Sequence, residues 1–253
     1  MCTNCGWGDS HVTPVDVHER MLAHNDRAAR HNRELFRDQH VVAINLIGST
    51  GAGKTAVLEA TAREFGRTGE AARVGVLTGD LAADHDANRL RAVGLLAESI
   101  TAGSACHLDA NMVHNGLHQL PWRTFDYLFI ENVGNLVCPA IYDLGQDVNV
   151  VALSVTEGED KPLKYPAMFH KADLVLLTQI DLLPQLDVSV DAIEKNIACV
   201  MEVPRMLKVS SRTGEGIVEW MSWLMGHRRP RMAACAASVG ARIIALDSSD
   251  VSR

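Results

Sequence analysis

Apolar segments of strand length, separated by polar, glycine-containing stretches, recur through the middle of the chain. Strands are predicted at Val41–Ile47, Arg73–Thr78, near Glu98–Thr101, and at Tyr127–Ile130, Val148–Val155, Leu174–Thr178 and Arg205–Val209. Between them the apolar period changes from two to that of a helix. Val57, Leu58, Ala60, Thr61 and Phe65 share one side after the first strand, and further helices are predicted over Asp86–Val93, Ala110–Leu120 and Gly216–Leu224. Asp109 is placed to cap the helix at Ala110. This alternation predicts an α/β fold, a mostly parallel sheet with helices on both faces, whose ligand site lies at the carboxyl ends of the strands.

The flanks read differently. Pro14 and Asp16 open a polar helical stretch, Val17 to about Arg37, with His18, His24 and His31 at six- and seven-residue intervals. That spacing is wider than the i, i+4 of a tight metal site, so a solvated helix is expected rather than a metal-gathering face. Residues 1–14 form an irregular arm containing Cys2-x-x-Cys5-Gly6. After 226 the pattern breaks at Arg228, Arg229, Pro230 and Arg231. The organisation expected is an arm and helix at 1–38, a nucleotide-binding domain at 39–226, and a disordered tail at 227–253.

The first strand runs into Gly48-Ser49-Thr50-Gly51-Ala52-Gly53-Lys54-Thr55, a phosphate-binding loop in its required setting of strand, glycine turn and helix start. Glycines let backbone N–H groups converge on phosphate oxygens, and the helix adds the positive end of its dipole. Gly48, Gly51, Ala52, Gly53 and Ala56 are therefore candidate nucleotide contacts. Lys54 would reach the β- and γ-phosphates and Thr55 would offer its hydroxyl to Mg²⁺. Two acids at strand ends, Asp80 and Glu131, are candidates to complete the Mg²⁺ shell and to assist catalysis with Lys54. Glu131-x-x-Gly134 resembles the second switch of GTPases, where the glycine N–H meets the γ-phosphate.

Thr178-Gln179-Ile180-Asp181 stands where GTPases carry Asn-Lys-x-Asp. A carboxylate at Asp181 would accept from N1–H and the 2-amino group of guanine, and adenine lacks that pattern. Thr178 and Gln179 replace the usual Asn and Lys, so the usual tether and the stem packed on the base are expected to be weakened. Ser211 and Arg212, within Ser210-Ser211-Arg212-Thr213-Gly214, resemble the loop that braces guanine.

A formal net charge of -7 over 253 residues argues against nucleic acid or a membrane surface as partner. No apolar run approaches spanning length and the N-terminus lacks a basic-then-apolar leader, so a cytoplasmic protein is expected. In that compartment the six cysteines read as thiols or metal ligands. Cys106-His107 and Cys138 lie near the nucleotide-sensing segments, and such donors suit nickel, zinc or copper. On spacing alone, buried thiols and a satisfied histidine are the slightly preferred reading. One chain offers three ligands, and a second copy would complete a shared site.

Five blocks together carry a resemblance: Gly48 to Thr55; Gly79-Asp80-Leu81-Ala82-x-Asp84-x-Asp86-Ala87; Cys106-His107-Leu108-Asp109; Glu131-Asn132-Val133-Gly134-Asn135-Leu136-Val137-Cys138-Pro139; and Glu157-Gly158-x-Asp160-Lys161-Pro162-Leu163-Lys164-Tyr165-Pro166. From about residue 2 to residue 225 the chain resembles the nickel-incorporation GTPases of [NiFe] hydrogenase maturation, phosphate-loop GTPases of the SIMIBI class. The resemblance implies a slow GTPase that turns GTP into GDP and phosphate with Mg²⁺, and dimerises with GTP. It implies Cys106, His107 and Cys138 as a Ni²⁺ or Zn²⁺ site shared between two chains. The implied partners are a small nickel metallochaperone and the hydrogenase large-subunit precursor. Lys161 is a candidate to reach across the dimer.

The chain departs from that family where its N-terminal Cys-x-x-Cys-Gly-Cys motif would end, because the third cysteine is Trp7. Only a weak site at Cys2 and Cys5, with His11 as a candidate further donor, is expected there. The long histidine tract of some members is also absent. A urease-assembly GTPase is disfavoured because its Cys-Pro-His motif would need histidine at Ala140. A zinc or nickel storage protein with a vestigial nucleotide site is the remaining alternative.

Overall fold

In a computed structural model of the protein, residues 14–69, 73–80, 84–101, 103 and 106–230 are described, with side chains from 22 onward and without that of Asp80. Among them seven strands form one sheet: β1 (Val42–Ile47), β2 (Val74–Asp80), β3 (Leu96–Thr101), β4 (Tyr127–Glu131), β5 (Val148–Ser154), β6 (Leu174–Thr178) and β7 (Met206–Lys208). The strand order is β3-β2-β4-β1-β5-β6-β7 and every pairing is parallel, so the expected mostly parallel sheet is wholly so. Eight helices surround it: α1 (Pro14–Asp38), α2 (Lys54–Thr68), α3 (His85–Ala92), α4 (Ala110–Leu117), α5 (Lys161–Lys164), α6 (Pro166–His170), α7 (Val190–Val200) and α8 (Ile217–Gly226).

Both faces of the sheet are covered, which is why its central strands are continuous apolar runs. One face packs Ile44, Val76, Phe129 and Val150 against α2, α3 and α8, where Val57, Leu58, Phe65, Leu90 and Trp220 are buried. The opposite face divides in two. Ala43, Leu77, Leu128 and Ile130 meet α1 and α4 through Phe36, Val113 and Leu117. Val151, Leu153, Val175 and Leu177 meet α6 and α7 through Phe169, Ile193 and Ile197.

The N-terminal helix is not the solvated rod expected. Asn25, Ala29, Asn32 and Phe36 lie at helical spacing and are all buried. Asn25 accepts from the N–H of Ala110 and donates to the carbonyl of Asp143, and Asn32 donates to the carbonyls of Ala110 and Leu144. Asparagines at core positions hid the face, because each buried amide is satisfied by loop carbonyls rather than exposed.

Three helices, α5, α6 and α7, went unpredicted. The first two are one turn long and begin beside prolines, and α7 has only Ile193 and Ile197 buried. Arg228 pairs with Asp126, and Arg229 pairs with Asp147 and donates to the carbonyl of Val41 at 2.7 Å. Residues 231–253, where the tail was expected, lie outside the described residues.

Candidate functional site

β1 is flanked by β4 and β5, so its carboxyl end delivers the phosphate loop between the loops that leave both neighbours. There a cleft of about 490 Å³ is lined by Thr50, Gly53, Lys54, Thr55, Ala56, Gly79, Asp86, Arg89, Glu131, Gly134 and Gln179, among others. Gly53 caps α2 in the left-handed region at φ 83°. A Cβ there would be strained whatever its surroundings. Lys54, bent back over its own loop, donates to the carbonyls of Gly48 and Ser49 at 3.2 and 3.0 Å. Burial lowers its pKa, partly offset by the charges of Glu131, Asp86 and Glu157.

Thr55 donates to Glu131 Oε1 at 2.7 Å. The other carboxylate oxygen, Oε2, is buried without a hydrogen-bond partner, as is the hydroxyl of Thr78, which sits opposite Glu131 in the sheet register. Burial raises the Glu131 carboxyl to about 7, against smaller lowering effects of Thr55 and Lys54. A buried acid with one oxygen unsatisfied beside a hydroxyl is costly on its own and fits a hard, oxygen-seeking cation. Asp80 ends β2 opposite Thr101; its side chain lies outside the described residues.

The segment at Thr178 and Gln179 is bonded directly to the phosphate loop. Thr178 donates to the carbonyl of Ala52 at 2.7 Å, and Gln179 Nε2 to that of Gly51 at 3.1 Å. Gln179 Oε1 accepts from Ser154 at 2.6 Å. A short hydroxyl and an amide thus supply the tether that was expected to be weakened. Asp181 sits beyond the residues lining the cleft, its carboxylate receiving Ser210 at 2.6 Å and Arg212 Nε at 2.7 Å. The Ser210 hydrogen bond, and after it the Arg212 guanidinium, hold Asp181 below its ordinary value despite the opposing desolvation. Ser211 turns its carbonyl to Arg63.

Sequence reasoning missed Ser49, Glu157 and Arg89 as participants. Ser49 and Lys161 both meet Glu157 Oε2, at 2.5 and 3.2 Å, so Lys161 is engaged within its own chain. Arg89 lines the cleft but is held by Glu59 and Asp86. The Ser49–Glu157 and Arg89–Glu59 contacts join residues remote in sequence and carry no spacing signal, whereas Glu157–Lys161 and Asp86–Arg89 are local i,i+4 and i,i+3 pairs.

The second centre lies next to the first. The Cys106, His107 and Cys138 ligand atoms all fall within 4.8 Å of one another, with the two sulfurs 2.8 Å apart. His107 stacks on Tyr142 with ring centroids 3.8 Å apart, and burial lowers its pKa, which favours the neutral ligand form. The neighbouring Cys106 thiol, and to a lesser degree burial, raises that of Cys138. Two asparagines join this centre to the cleft. Asn132 Oδ1 accepts from the N–H groups of Leu108 and Val133, and Asn135 Nδ2 donates to the carbonyl of Cys106 at 3.2 Å. Between them Gly134 rests on the phosphate loop so closely that a Cβ would stand 2.2 Å from Thr50 Oγ1. Cys2 and Cys5 lie outside the described residues.

The profile described as "CobW/HypB/UreG, nucleotide-binding domain" matches residues 42–206. The hydrogenase maturation factor HypB of Azotobacter chroococcum mcd 1 is 45% identical over 241 residues, which cover 95% of this chain and 78% of the relative. Among solved structures, hydrogenase maturation factor HypB from Archaeoglobus fulgidus is 37% identical with a TM-score of 0.74, covering 81% of this chain and 98% of the other. HypB from Helicobacter pylori in complex with nickel is 33% identical with a TM-score of 0.76, covering 83% and 100%.

Proposed function

The chain belongs to the CobW/HypB/UreG nucleotide-binding family, and from that premise we propose that it is a GTP-hydrolysing nickel carrier of [NiFe] hydrogenase maturation. The observation that carries this reading is the pair of asparagine bonds joining the segment after β4 to both ends of the Cys106–His107 loop. A γ-phosphate meeting Gly134 must displace that glycine from Thr50, and Asn132 and Asn135 would pass the movement to the thiolates. Metal affinity then depends on the nucleotide, and by linkage nucleotide affinity depends on the metal.

In this reading Lys54 leaves the loop carbonyls for the β- and γ-phosphates, and the backbone of Gly48 to Ala56 cradles the phosphates. Thr55 and Glu131, with Asp80 at the neighbouring strand end, would hold Mg²⁺, which neutralises charge on the transferring phosphoryl group when bound. Thr178 and Gln179 keep the loop in place, while Asp181 reads guanine with Ser211 and Arg212 as bracing residues. Turnover is slow, because Arg89 is already paired with Glu59 and Asp86 and unassisted GTPases run far below about one per second.

Nickel is cargo in this scheme. Cys106, His107 and Cys138 supply three donors, and the same set from a second copy completes the shell in a GTP-bound homodimer. Val137 and Ile141, exposed on either side of Cys138, support such an interface. Zn²⁺ shares these donors and competes for them. The partners are a small nickel metallochaperone and the hydrogenase large-subunit precursor, in the cytoplasm. Among the described residues no helix is long and apolar enough to cross a membrane. The organisation proposed remains an N-terminal arm and helix, a GTPase domain bearing both centres, and a C-terminal tail.

Calorimetric titration of Ni²⁺ into protein holding either GDP or a non-hydrolysable GTP analogue tests the scheme. State-dependent binding near one ion per two chains, abolished by Cys138→Ala and made state-independent by Asn135→Ala, is expected. Identical binding in both nucleotide states, indifferent to Cys138→Ala, overturns it.

A further inference from the structure

Three histidines outside both centres meet where α1 crosses α4. The His114 ring has its centroid 5.3 Å from that of His31 on α1 and 5.3 Å from that of His118, four residues on at the C-cap of α4. Two imidazoles sharing one ion, with nitrogen–metal bonds of about 2.0–2.1 Å, hold their ring centroids about 4.5–5.2 Å apart for bond angles of about 90–110°. Both pairs, at 5.3 Å, lie just outside that range. The set is wider than the Cys106 triad, and the exposed rings of His31 and His118 close it by side-chain rotation.

The tautomer of His114 is decided by its neighbour. Asn32 is wholly buried and its Nδ2 donates to two carbonyls, those of Ala110 at 2.8 Å and Leu144 at 3.1 Å. Carbonyls only accept, so the orientation of this amide is fixed, and its Oδ1 is what faces His114 Nδ1 at 3.1 Å. His114 Nδ1 must therefore carry the proton, which leaves the Nε2 lone pair free. A ring nitrogen oriented in this way by a buried acceptor on its far side is the arrangement that supports metal-ligating histidines. Burial, followed by the neighbouring His31 and His118, lowers the pKa of His114, in keeping with a neutral ring.

We propose that His114, with His118 and His31, forms a second transition-metal site bridging α1 and α4, separate from the cysteine centre and specific for a divalent late transition ion of the Ni²⁺, Cu²⁺ or Zn²⁺ class. An all-imidazole donor set without thiolate suits these ions and not Mg²⁺. The site shares α4 with the metal loop, since Ala110, held by both Asn25 and Asn32, is the third residue after His107. It involves neither the nucleotide nor the thiols, so it stands or falls independently of the function proposed above.

The test uses the full chain carrying Cys2→Ser, Cys5→Ser, Cys106→Ser and Cys138→Ser, with folding checked by circular dichroism and Ni²⁺ alone as probe. Equilibrium dialysis is expected to show one Ni²⁺ retained per chain, with X-ray absorption showing imidazole ligation. His118→Ala and His31→Ala, both at exposed positions, are expected to weaken retention about tenfold or more each, as is His114→Ala. Loss of all Ni²⁺ retention in the four-cysteine variant overturns the proposal. So does retention that His31→Ala and His118→Ala leave unchanged, which would place the ion elsewhere.

Discussion

Glu131 is the residue whose protonation should report most directly on the cleft. Its carboxyl is raised from 4.5 to about 7 chiefly by burial, and Oε2 has no partner. With a raised folded value, the unfolded chain releases this proton first. Stability of the nucleotide-free protein therefore falls as pH rises from about 4.5 to about 7, by of order 3 kcal/mol in total, and is level above that. Cation binding runs in the opposite sense, because the bound form needs the carboxylate. At pH 6 a group of pKa about 7 is roughly nine-tenths protonated, so binding of Mg²⁺ with GDP should release about 0.9 proton; at pH 8 it should release about 0.1. Below pH 7 the Mg²⁺-dependent part of nucleotide affinity should weaken about tenfold per pH unit. Calorimetry at pH 6 in buffers of different ionisation enthalpy counts the protons, with a titration in EDTA subtracting those of the nucleotide itself. Glu131→Gln should abolish both the release and the pH dependence. Release below about 0.2 proton at pH 6, or the same release from Glu131→Gln, would refute the assignment of Glu131 as the buried acid that the cation deprotonates.

Two further outcomes follow from other bonds. Gln179→Ala removes the bonds to Ser154 and Gly51, each worth about 0.5–1.5 kcal/mol, so GDP should dissociate about tenfold faster from a chain that remains folded; an unchanged rate in stopped flow would mean that Thr178 alone secures the loop. Asp126, 4% exposed, would be raised by burial, but the hydrogen bonds of Arg73 and the charges of Arg228 and Arg73 more than offset this and leave it below its ordinary 3.8. Its contribution is present above about pH 4 and lost as pH falls through the depressed folded value. Asp126→Asn should therefore lower the unfolding free energy measured in urea by about 1.5–3 kcal/mol at pH 7 and by little at pH 3, and an equal loss at both would show that packing and not charge is responsible.

The amino-acid sequence alone determined the alternation of strands and helices, the phosphate loop and its place after the first strand, and the cysteine and histidine donors. These are local features: a two-residue or 3.6-residue period, a glycine spacing, a pair of adjacent ligands. Lys54, Thr55 and Glu131 were legible as candidates because phosphate and Mg²⁺ call for those residue types beside a phosphate loop. What depended on tertiary structure was every relation between remote residues. Asn25 and Asn32 look solvated until Ala110 and Leu144 supply their partners. Thr178 and Gln179 look like losses until the strand order carries them beside Gly51 and Ala52. His31 was one of three widely spaced histidines on a helix, and only the crossing of α1 over α4 sets it against His114. Hydrogen bonds and ligand sets are formed by proximity in space, and a linear pattern specifies proximity only within an element; between elements, the parallel sheet and the helices packed on it decide which side chains meet.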